Sequence, residues 1–67
     1  MHVILYHQDG CGMCRTVEMM LNKKGIKYDS CKDVDTMLER GISGTPALDV
    51  DGKLYIKKEI LDWIRGQ

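Results

Sequence analysis

A chain of 67 residues, 43% hydrophobic and 30% charged, holds enough apolar material for one domain around one core and leaves no room for a second. Its ten basic and ten acidic side chains cancel, which removes the basic face that nucleic acid or an anionic membrane surface requires. No stretch approaches the ~20 apolar residues of a membrane-spanning helix, so neither nucleic acid nor a membrane is an expected partner.

Val3 to Tyr6 is a continuous apolar run, too short for a helix and rich in strand formers, as expected of a strand buried on both faces. The segment His7-Gln8-Asp9-Gly10-Cys11-Gly12-Met13-Cys14-Arg15 follows. Met13, Val17, Met20 and Leu21 then recur at helical spacing, with Arg15, Glu18, Asn22 and Lys23 on the outer face and Gly25 as the stop. Ile26 to Ser30 alternates apolar and polar residues, the period of a strand with one exposed face. Asp33 is placed to cap a short helix whose apolar positions Val34, Met37 and Leu38 share a face, ended by Gly41. After the loop Ile42-Ser43-Gly44-Thr45-Pro46, two apolar pieces, Ala47 to Val50 and Leu54 to Ile56, flank Asp51-Gly52, the dipeptide suited to a type I′ hairpin. Ile60, Leu61 and Ile64, with Trp63 beside them, form a closing helix. Trp63 and the methionines are expected in the core, and His7 in a loop.

The order is therefore β-α-β-α-β-β-α. A right-handed crossover makes the first two strands parallel, and the hairpin adds an antiparallel pair. Residues 1–67 are expected to form a single α/β domain with a four-stranded mixed sheet and helices on both faces.

The chemistry lies in Cys11 and Cys14. A Cys-x-x-Cys at a strand-to-helix junction puts the first sulfur near the free N–H groups of the helix start, whose partial positive charge stabilises thiolate by about 0.3–2 kcal/mol. The second sulfur follows one turn later, within reach of a small disulfide ring. Cys11 is the expected nucleophile and Cys14 the resolving thiol. Arg15 favours the thiolate and Asp9 opposes it. Three cysteines do not make the even framework of a small secreted disulfide domain, and Cys31 is expected to be a small half-buried side chain at the end of an edge strand. The four-residue apolar run near the N-terminus does not read as a signal peptide, so a reducing, cytoplasmic compartment is expected.

Element order, motif spacing and length together resemble the thioredoxin superfamily, in particular its short glutaredoxin-like, redoxin branch. The resemblance rests on Cys11-Gly12-Met13-Cys14 after the first strand and Thr45-Pro46 before the third, and it spans essentially the whole chain. It implies a thioredoxin-like, glutaredoxin-type fold and a dithiol–disulfide oxidoreductase that acts on protein disulfides. It further implies a cis Thr45-Pro46 bond facing Cys11, with Gly12, Met13, Thr45 and Pro46 in contact with substrate. A monomer without a bound cofactor is expected.

The sequence also departs from the family pattern. Gln8 stands where a lysine is usual, Met13 replaces the aromatic of Cys-Pro-Tyr-Cys, and Ile56-Lys57-Lys58-Glu59 lacks the Gly-Gly-Asp that helps to hold glutathione. The Ser-Gly-Phe tail of the ribonucleotide-reductase redoxins is absent. A flavoprotein reductase of the thioredoxin-reductase type is therefore favoured as electron donor, with glutathione as the second candidate. The alternative function is a metal-binding module that uses the same cysteines, either zinc held by His7, Cys11, Cys14 and Cys31 or an iron–sulfur cluster bridged between two copies. The distance in sequence from the motif to Cys31 argues against zinc.

Overall fold

The computed structural model describes all residues, Met1–Gln67. Its elements are β1 (Val3–Tyr6), α1 (Gly12–Lys23), β2 (Asp29–Cys31), α2 (Val34–Glu39), β3 (Ala47–Val50), β4 (Lys53–Ile56) and α3 (Lys58–Arg65). The strands form one mixed sheet in the order β2-β1-β3-β4, with β1 parallel to β2 and antiparallel to β3, and β3 antiparallel to β4.

Alternation along β1 and β3 divides the interior into two cores. Val3, Leu5 and Leu48 point to one side, where Val17 and Leu21 of α1 and Ile60 and Ile64 of α3 cover them. Leu5, Leu21, Leu48, Ile60 and Ile64 have no exposed area, and each such side chain contributes about 1.5–3 kcal/mol of burial free energy. Tyr6 and Ala47 point to the other side, where Met37 and Ile42 close a smaller cluster. Two helices thus seal one face and a single six-residue helix the other.

Two helix ends explain how the chain turns back into these cores. After α1, Gly25 adopts φ +70°, and its N–H and that of Ile26 donate to the carbonyls of Asn22 and Leu21. Gly41 repeats the arrangement after α2 at φ +76°, with Ile42 donating to Met37. Both ends are Schellman motifs, which need a residue free to adopt left-handed backbone and which press the following apolar residue onto the helix. Ile26 joins the larger core and Ile42 the smaller in this way. The Asp51-Gly52 turn has positive φ at both positions, 51° and 92°, as a type I′ hairpin requires.

Several sequence expectations are corrected. The second strand is not Ile26 to Ser30 but Asp29–Cys31. Ile4 pairs with Asp29, so residues 26–28 would face residues 1–3, where β1 has barely begun. Ile26 and Tyr28 pack on the core as an unpaired lead-in. In α2 only Met37 is buried, while Val34 and Leu38 are exposed because a helix this short meets the sheet through one turn. Met1, Met13 and Met19 are also exposed. Trp63 packs at the core edge beside Tyr55, with ring centroids 6.1 Å apart. His7 lies in the loop after β1, as expected, and is buried there. No helix is long and apolar enough to cross a membrane.

Candidate functional site

Where β1 ends, four residues, His7 to Gly10, lead the chain to Cys11, where it enters α1. Cys11 is the N-cap, with φ −90° and ψ 105°, and its Sγ accepts the backbone N–H of Cys14 at 3.1 Å. In most helices a Ser, Thr, Asp or Asn oxygen takes this position. Here a sulfur occupies it, so a thiolate formed at Cys11 has an N–H donor and the positive end of a helix dipole beside it. The Cys11 carbonyl accepts the Arg15 N–H, which closes the first turn.

Cys11 and Cys14 form a disulfide, their Cα atoms 5.2 Å apart. Cys11 is half-buried, whereas Cys14 is 1% exposed. Of the two sulfur-bearing residues, only the one at the helix start can be approached by a large partner.

The Thr45-Pro46 bond is cis. Met13, Thr45 and Pro46 line one groove of about 530 Å³, together with Leu54, Ile56 and Lys57. Gly12 does not join them. It faces a second cavity, of about 470 Å³, shared with Cys14, His7 and Glu18. The Cys-x-x-Cys turn is thus a ridge between an apolar groove with two lysines on its border and a polar cavity behind the buried thiol.

Charges around the turn are balanced. Asp9 forms an ion pair with Lys32 at 2.8 Å, and that contact holds its carboxyl below the usual range and the Lys32 ammonium above its own. The opposition expected from Asp9 to a Cys11 thiolate is therefore offset by Lys32. Neither Lys32 nor its pairing with Asp9 was evident from sequence, since the contact joins residues 23 apart along the chain.

Cys31 ends β2 opposite Tyr6 and packs with the smaller core, on the sheet face away from α1. It is a free thiol. His7, Cys11, Cys14 and Cys31 are not gathered into one set, and no group of three or more His, Cys, Asp or Glu side chains has the geometry to hold a metal ion. His7 itself has a signal in the sequence, because positions 3, 5 and 7 continue one face of β1. Its main-chain N–H donates to the Cys31 carbonyl, extending the β1–β2 pairing by one residue.

Fold and site together define a mixed α/β protein with three helices, a four-stranded sheet and a Cys-x-x-Cys disulfide at the strand-to-helix junction. This architecture is compatible with a thioredoxin-like fold. No family model matches the chain, and neither a curated protein nor a solved structure matches it. The cysteine pair is chemically competent for reversible disulfide exchange, and its spacing also suits two ligands of a metal site.

Proposed function

We propose that the chain is a dithiol–disulfide oxidoreductase of thioredoxin-like, glutaredoxin-type architecture, a single domain over residues 1–67 that reduces disulfides in protein substrates. The observation that carries this function is the asymmetry of the pair: Cys11 is an accessible N-cap sulfur with a donated N–H, and Cys14 is enclosed behind it. In the reducing direction the Cys11 thiolate attacks a substrate disulfide, one substrate sulfur leaves, and a mixed disulfide forms. Cys14 then attacks Cys11, which releases the second substrate sulfur and leaves the Cys11–Cys14 disulfide.

The groove beside Met13, Thr45 and Pro46 supports a substrate-binding role for those residues. An extended peptide laid there meets main-chain groups at Thr45 and apolar side chains at Leu54 and Ile56. Gly12, on the cavity side of the ridge, contributes through the turn.

The electron donor follows from the charges available. Glutathione carries two carboxylates, and the groove offers only Lys57 and Lys58 to meet them. An exposed lysine contributes at most about 1 kcal/mol to such a contact, so a flavoprotein reductase of the thioredoxin-reductase type is the preferred donor. The test is NADPH-coupled reduction of a model protein disulfide with either reductase system, millimolar glutathione being supplied to the second. Faster turnover with the thioredoxin-reductase system supports the assignment. Faster turnover with glutathione, weakened by Lys57→Ala and Lys58→Ala, would make the two lysines a carboxylate clamp. Loss of turnover in Cys11→Ser is required in either case.

A further inference from the structure

The groove beside Met13 and Pro46 is charged, although the chain as a whole is not. Ten basic and ten acidic residues cancel over the sequence, yet the groove is lined by Lys57 and Lys58 and by no Asp or Glu. Both lysines are exposed, and neither takes part in an ion pair. Glu59, the acid next to them in sequence, turns its Oε1 to the Ile56 N–H at 3.3 Å instead. On the other side of the Cys-x-x-Cys turn, by contrast, Lys32 is already matched by Asp9.

Lys57 is also an unexpected residue for its backbone. It holds φ 52° and ψ −131°, a conformation natural to glycine. Neither packing nor backbone preference gives a reason for lysine here, because the side chain is exposed and glycine would adopt the same backbone with less strain. What the lysine adds is an ammonium group on the border of the groove.

The rest of the lining is apolar and open to contact. Met13 and Ile56 are 39% and 46% exposed, and Leu54 and Leu61 are half-buried beside them. A substrate segment laid along Thr45 therefore meets apolar surface and positive charge together. Given the disulfide exchange proposed above, we propose that this groove selects protein disulfides whose cysteine is flanked by apolar and acidic residues, the carboxylates being met by Lys57 and Lys58. An exposed lysine favours a facing carboxylate by up to about five-fold. That is too little to hold glutathione by its carboxylates alone. It is sufficient to rank peptides that already dock through main-chain and apolar contacts, and the same charges disfavour basic segments.

The test mixes the reduced protein with synthetic peptides, each closed by one internal disulfide and carrying leucine beside a cysteine. They differ only at the positions flanking the cysteines, which are filled by Glu, Gln or Lys. Single-turnover reduction is followed by acid quench and chromatography, and each rate is divided by that with dithiothreitol to remove the intrinsic reactivity of the disulfide. The Glu peptide is expected to react about ten-fold faster than the Lys peptide at low ionic strength, with the Gln peptide between them. The gap should close to within about two-fold at roughly 0.5 M salt, since the charges are exposed. Lys57→Gly and Lys58→Gln should each remove part of the preference, and the two together should abolish it. Lys57→Gly relieves the strained backbone, so its readout does not depend on a damaged fold. Equal rates for the Glu, Gln and Lys peptides in the wild type would overturn the proposal, as would a preference for Glu that persists in the double variant. If none of the peptides is reduced, the oxidoreductase function falls together with this selectivity, and that result is distinct from equal rates.

Discussion

The guanidinium of Arg40, which caps the C-terminus of α2, donates to the carboxylate of Asp49 in the middle of β3, and the same carboxylate accepts the Gly52 N–H at 2.8 Å. Asp49 is 5% exposed. The pair ties the single helix on the thinly covered face to the central hairpin. Asp49→Ala leaves the Gly52 N–H and the Arg40 guanidinium without that acceptor, and the expected loss is about 1–3 kcal/mol. Asp49→Asn should lose less, because it can still accept from Gly52. Arg40→Ala should also destabilise, since it leaves the buried carboxylate with one donor. Urea midpoints at constant m-value measure all three.

Cys31 lies on the opposite face of the sheet from α1, so the exchange cycle is expected to proceed without it. Cys31→Ser should retain most disulfide reductase activity. Cys14→Ser should instead stop after the first attack and accumulate mixed disulfides at Cys11, visible by mass spectrometry. A folded but inactive Cys31→Ser protein would point to a mechanism with three thiols or a metal.

Acid should weaken the fold through identifiable groups. The Asp33 carboxylate accepts the Thr36 hydroxyl at 2.6 Å and the Asp35 N–H at 3.3 Å, and these contacts, Thr36 foremost, hold it below its ordinary value of 3.8. Lys32 does the same for Asp9. A depressed carboxyl stabilises the folded state fully above its unfolded value, and that contribution disappears as pH falls through the folded one. Lys32 is raised above 10.5, so its share is present below that pH and lost as pH climbs through the raised value. Stability should therefore be flat between these limits and fall on both sides. Urea midpoints measured from pH 7 to pH 2 should fall less steeply in Asp33→Ala than in wild type, from a lower starting stability, and added salt should diminish the Asp9–Lys32 share.

Lys57 precedes α3 with φ 52° and ψ −131°, a backbone conformation that glycine adopts readily and a lysine does not. Such a residue costs about 1–3 kcal/mol. Lys57→Gly, after the greater chain entropy of glycine in the unfolded state, is expected to raise stability by about 1 kcal/mol. Thermal unfolding measures it, with a shift of about 4–8 °C per kcal/mol for a domain of this size.

Most of the framework was legible because its signals are local. The Val3 to Tyr6 run, the spacing of Val17 and Leu21, the Gly25 and Gly41 stops and the Asp51-Gly52 turn each act within a few residues of chain. What was not legible depends on pairing across the sheet. Ile26 to Ser30 has the alternation of a strand, but the register with β1 sets its first two residues opposite Met1 and His2, before β1 begins. Asp49 sits inside an apolar piece, and only the fold shows that Arg40 reaches it. In α2 the spacing of Val34, Met37 and Leu38 was sound, yet so short a helix buries one residue. The two cysteines were legible as a pair, whereas the cavity beside Cys14 forms only when the loop after β1, α1 and the segment after β2 come together.

The asymmetry between Cys11 and Cys14 is tested most directly by alkylation of the reduced protein with iodoacetamide from pH 6 to pH 9, each site quantified by peptide mass spectrometry. Cys11, half-buried at the helix start with an N–H on its sulfur, should react far faster than the enclosed Cys14 and should remain reactive well below the free-thiol value of about 8.5. Faster labelling of Cys14, or a Cys11 profile that follows a free thiol, would contradict the assignment of nucleophile and resolving thiol.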